Sequence, residues 1–84
     1  MKIKLAPIAP NQTVLTFGNN EIFFSYSTPV AAFIEGKYFR TTTKFSNTTS
    51  KHIKSYIGNL KAEDRSQDFF HGLLDVSKKT FFRF

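Results

Sequence analysis

Two turn signals, Gly18-Asn19-Asn20 and Glu35-Gly36, divide the first half of the chain into segments short enough that strands fit and helices do not. Thr13 to Phe17 and Glu21 to Tyr26, on either side of the first, are rich in β-branched and aromatic residues. Gly and Asn tolerate positive φ, so these segments form a hairpin. Thr28-Pro29 breaks the chain, after which Val30 to Ile34 and Lys37 to Thr43 flank Glu35-Gly36, with glycine placed where a tight turn needs positive φ. The pattern predicts an antiparallel meander of about four strands over residues 13–44.

The periodicity then changes. Ser46 or Thr48 can cap a helix running to about Leu60, because a hydroxyl there accepts from the free amides of the first turn. At 100° per residue Ile53, Tyr56, Ile57 and Leu60 share one arc, and Lys51, Lys54, Gly58 and Lys61 share another. Glu63-Asp64-Arg65-Ser66 leads into a second short helix through Leu74, carrying Phe69, Phe70, Leu73 and Leu74 on its apolar side. Its acids sit at the end where the helix dipole favours them. The expected fold class is α+β: a small antiparallel β-meander of about four strands, packed across one face by one or two C-terminal helices. It forms a single domain over 1–84, with an N-terminal extension (1–11), a helical part (47–75) and an aromatic tail (76–84) that adds an edge strand or stays loose.

With 84 residues and no cysteine, the core is thin and no disulfide can staple it. Eleven Phe and three Tyr supply the packing, each ring burying roughly 150 to 250 Å². His52 and His71 are isolated from each other, there is no cysteine, and no acid stands at i+3 or i+4 from His52, so no metal site and no cofactor are expected. No Walker loop, nucleophile elbow or paired-carboxylate signature is present, and no catalytic residue is assigned. The chain is expected not to be an enzyme. Pro7 and Pro10 interrupt the apolar N-terminus, which is therefore not expected to act as a signal peptide. Pro29 to Ile34 falls far short of the roughly 20 residues of a spanning helix. A soluble cytoplasmic protein without a membrane partner is the expectation.

Charge points to a partner. The formal net charge is +6, and the window Gly36 to Ala62 carries Lys37, Arg40, Lys44, Lys51, Lys54 and Lys61 with no acidic residue. Concentrated positive charge steers and holds polyanions, so nucleic acid, DNA or RNA, is the first candidate. The hydroxyl-rich stretch Thr41 to Ser50 joins strand to helix, and Thr48, Thr49 and Ser50 with Lys51 and His52 match what a phosphate needs. The same hydroxyls also suit strand and cap positions alone, and His52 suits packing at the helix edge as well as a phosphate contact. Period two places Tyr38, Arg40, Thr42 and Lys44 on one strand face, read as exposed. Phe33 opposite Tyr38 then offers a stacking platform, or an ordinary cross-strand aromatic pair. Neutralising six phosphates gives a slope of log K against log salt of about −4 to −5. The rival partner is a host protein whose acidic surface the basic face blocks, for which the aromatic excess is also suited. Pairing of two chains through an edge strand is open.

Phe24 to Ala32 with its Tyr26-Ser27-Thr28-Pro29-Val30-Ala31 core, Gly36 to Thr41 with Tyr38-Phe39-Arg40-Thr41, and Lys44 to Ile53 with Thr48-Thr49-Ser50-Lys51-His52-Ile53 together resemble a family of small phage and archaeal-virus proteins of unknown function. Gln67 to Leu74 is similar to that family's short closing helix. The resemblance covers roughly residues 13 to 74, and its most specific part is the run Thr48 to Ile53. It implies a viral origin and a role in phage nucleic-acid handling or host takeover, and it transfers no active site.

Overall fold

The computed structural model describes residues 3–81, with side chains as far as Asp75. Five strands follow one another as an antiparallel meander: β1 (Ile3–Ala9), β2 (Gln12–Phe17), β3 (Asn20–Ser25), β4 (Thr28–Ile34) and β5 (Lys37–Thr41). Helix α1 (Asn47–Ile57) then crosses over to β6 (Ala62–Arg65), which pairs parallel with β5, and α2 (Gln67–Phe81) follows. The sheet is ordered β1-β2-β3-β4-β5-β6.

Both tight turns form where the sequence places them. Phe17 pairs with Asn20 around Gly18 at φ 61°, a glycine-first hairpin turn. Ile34 pairs with Lys37 around Glu35 and Gly36, at φ 51° and 81°. Two consecutive positive φ values match the right-handed twist of the flanking strands. Thr28-Pro29 does not end the sheet. Phe23 opposes Ala31 while Phe24 opposes Pro29, so β4 has one extra residue, Val30, and the proline sits at this bulge, where a missing amide costs the ladder little.

The sheet is covered on both faces, in contrast to the one-face packing expected. Successive strand residues point to opposite sides. Ala31 and Tyr38 pack in the cluster of Val14, Phe23, Val30, Ile53, Tyr56 and Ile57 under α1. Their chain neighbours Ala32 and Phe39 pack with Ile34, Phe69, Phe70 and Leu73 under α2. Hence Ile22 and Phe23, adjacent on β3, are both fully buried. The strand count is six rather than about four. Residues 3–9, expected as an extension, form edge strand β1, whose Pro7 is tolerable because an edge strand leaves alternate amides unpaired. Glu63-Asp64-Arg65, expected to open a helix, form β6 instead. The second helix begins at Gln67, whose side chain donates to Pro29 O (2.6 Å) and accepts from Thr41 Oγ1 (2.7 Å). Its backbone continues through Phe81, into the segment expected as strand or loose tail; the docking expected of Phe81, Phe82 and Phe84 lies outside the described side chains. Among the described residues, no helix is long and apolar enough to cross a membrane.

Candidate nucleic-acid interface

Ser46 is the cap of α1: its Oγ accepts from Thr49 N at 3.1 Å, from an extended backbone that starts the helix cleanly. Gly58, at φ 68°, ends the helix at Ile57, three residues before Leu60, and its amide donates to Lys54 O at 2.7 Å. This early stop turns Leu60 out of the apolar arc assigned to it; it is 59% exposed.

Between the end of β5 and α1 lies an open groove of about 590 Å³, lined by Arg40, Lys44 and Lys54 together with the hydroxyls of Thr42, Thr43 and Ser50. Strand and helix cations therefore meet on one side, a relation the sequence alone leaves open. Asp64 of β6 enters the same groove, its Oδ1 accepting from Arg40 Nε at 2.8 Å. On the other side of Leu60 a second groove, about 530 Å³, is lined by Lys37, Tyr38, Lys61 and Glu63. Both residues of the Arg40–Asp64 pair are more than half exposed, so the bond costs Arg40 little of its freedom to engage another anion.

The remaining expected site residues divide. Thr48 and Lys51 are exposed on the first turns of α1 but line neither groove. Thr49 is buried, its Oγ1 3.0 Å from Ser25 Oγ, and His52 Nδ1 lies 2.8 Å from that same Ser25 hydroxyl. The Tyr26 ring tilts over the imidazole with centroids 5.8 Å apart. Thr49 and His52 thus fasten α1 to the end of β3, which corrects the assignment of buried Thr49 as a phosphate contact and gives half-buried His52 its packing role at the helix edge.

Tyr38 is half-buried and lines the second groove, with much of its ring spent on packing. The face carrying Tyr38 and Arg40 is the one α1 covers, and Tyr38 meets Tyr56 edge-on at 5.8 Å while Phe33 tilts against it at 4.7 Å. Phe33–Tyr38 is the expected cross-strand pair, and Tyr56 of the helix takes up one side of the platform a base would use. Tyr56 in turn stacks on Phe23 at 4.5 Å and donates its hydroxyl to Glu21 Oε1 at 2.8 Å. Burial first, then this hydrogen bond and the carboxylate's charge, then Tyr38, push the Tyr56 phenol well above its ordinary range.

Asp64 and Ser25 escaped sequence reasoning. The acid-free window ends two residues before Asp64, and nothing in Ala62-Glu63-Asp64-Arg65 signals a strand that lies beside β5. Ser25 belongs to a hairpin strand and gives no local hint of a partner in a helix 24 residues on. Among the described residues no group of three or more His, Asp or Glu side chains is arranged to hold a metal ion.

No curated protein and no solved structure matches the chain. A family profile does match, over residues 3–72, which takes in the whole sheet, α1, both grooves and the first turn of α2. The chain accordingly belongs to DUF8033, a family of unknown function.

Proposed function

We propose that this chain is a non-enzymatic nucleic-acid-binding module that holds the phosphate backbone along its two cationic grooves. The observation that carries this reading is the convergence of Arg40 and Lys44 from the strand end with Lys54 from the helix, in one groove bordered by the exposed hydroxyl residues Thr42, Thr43 and Ser50. Lysines supply point charges, and hydroxyls add directional bonds to phosphate oxygens. Lys37 and Lys61 continue the positive track past Leu60. Lys51 lines neither groove and the charge of Arg40 is offset by Asp64, which leaves the four groove lysines Lys37, Lys44, Lys54 and Lys61 to neutralise phosphates. The salt slope becomes about −3 for a single strand, shallower than the six-cation figure. With the viral origin that the resemblance implies, such a module acts in the host cytoplasm on phage or host nucleic acid.

Fluorescence anisotropy with labelled oligonucleotides over a salt series tests this. Salt-steep binding that is lost in Lys44→Glu/Lys54→Glu supports it; absence of binding at low salt overturns it. One observation favours a second reading, a host-protein inhibitor: Leu60 stands exposed between the two cationic grooves, an apolar centre with a charged rim. That reading gains if oligonucleotides fail while a host protein is retained by the wild-type chain and released by the same double variant.

A further inference from the structure

Each cationic groove contains one carboxylate, Asp64 in the first and Glu63 in the second. A surface built only to hold phosphates gains nothing from acids among its lysines, since each repels the ligand. Asp64 presents more than charge. Its Oδ1 accepts from Arg40 Nε at 2.8 Å, and among the described residues no bond to Oδ2 or from the two Arg40 Nη groups is formed. The pair therefore offers free acceptor and free donors side by side, more than half exposed, on the wall of a groove whose volume of about 590 Å³ suits a nucleotide-sized ligand. Lys44, Lys54 and the hydroxyls of Thr42, Thr43 and Ser50 stand in the same groove for its phosphate.

Resting on the nucleic-acid reading, we infer that the first groove seats an unpaired nucleotide, and that the Arg40–Asp64 pair reads its base edge with a preference for guanine. Guanine places two adjacent N–H donors, at N1 and N2, beside an O6 acceptor. A carboxylate takes the donors and a guanidinium gives to O6 or N7. In a duplex N1–H and one N2–H are spent on pairing, so only an unpaired guanine presents the two donors together. Thymine and uracil have one such donor between two carbonyls, which the carboxylate repels. Leu60, lining both grooves, offers an apolar surface to a flanking sugar or base as the strand passes to Lys37 and Lys61.

The test is anisotropy with three probes of equal length: a thymidine oligonucleotide, the same strand with one central guanine, and a duplex of the guanine strand, each against wild type and Asp64→Asn. The expected result is single strand over duplex by about tenfold or more, and guanine over thymine by at least about fivefold. Asp64→Asn should tighten the thymidine strand by removing a negative charge while erasing the guanine preference. Circular dichroism checks that the variant keeps its fold, which this exposed position makes safe. A duplex bound as tightly as the single strand, or a base preference unchanged in Asp64→Asn, overturns the inference and leaves the nucleic-acid reading standing. Failure of all three probes at low salt overturns both.

Discussion

His52 Nδ1 lies 2.8 Å from Ser25 Oγ, joining a helix to a strand end across 27 residues. The same hydroxyl is 3.0 Å from Thr49 Oγ1, so one buried serine serves two helix residues. Ser25→Ala removes the side-chain hydrogen bond that each makes to it, and the expected loss is about 1 to 3 kcal/mol in urea-induced unfolding. His52→Ala should also lower stability. Neither variant should change the salt slope of oligonucleotide binding, because neither residue lines a groove.

Tyr56 sets an alkaline limit on stability. Its phenol is raised in the folded state by burial and by donation to Glu21, whereas the unfolded chain titrates near the ordinary value of about 10. Above that pH the unfolded state releases a proton that the folded state keeps, so stability is full below about pH 10 and falls as pH rises beyond it. Tyr56→Phe should cost about 1 kcal/mol at neutral pH through the lost hydrogen bond and should flatten the decline above pH 10, as read from thermal midpoints between pH 8 and 11.

Two lysines one helical turn apart should behave differently. Lys54→Ala is expected to reduce the magnitude of the salt slope by about 0.7 to 0.9, the loss of one phosphate contact. Lys51→Ala, on the same helix but outside both grooves, should leave the slope within error. Equal effects from the two would place the interface on the helix surface and away from the groove.

Glu35 holds φ at 51° in the β4–β5 turn, a left-handed conformation that suits Asn far better than Glu. Its amide donates to Asn20 Oδ1 at 3.0 Å, a bond that depends on the backbone and not on the Glu side chain. Glu35→Asn should raise stability by about 0.5 to 1 kcal/mol, seen as a higher urea midpoint with an unchanged m-value.

Local chemistry made most of the meander legible. Gly18-Asn19 and Glu35-Gly36 require specific backbone angles, and the strands beside them pair in the register those turns dictate. The cap at Ser46 and the arc of Ile53, Tyr56 and Ile57 were visible for the same reason: each depends on residues within a turn or two. What stayed hidden depends on distant pairing. Residues 3–9 carry two exposed apolar side chains, Leu5 and Ile8, and a proline, and become a strand because β2 offers a free edge. Ala62 to Arg65 become one because α1 returns the chain beside β5. The face assignment of Tyr38 failed on a related point. Period two correctly grouped it with Arg40, but a sheet with a helix on each side has no solvent face to assign.

The parallel strand β6 also imposes an order of assembly. Strands β1 to β5 are joined by two-residue turns, whereas β6 reaches β5 only after α1 has been made, 24 residues separating Arg40 from Asp64. Close-range contacts close faster than distant ones. During synthesis the residues of the five-stranded meander also emerge before Asp64, the carboxylate that pairs with Arg40. On the proposed reading, a nascent chain is for that interval a less discriminating polycation than the finished protein, beside the RNA of the ribosome itself.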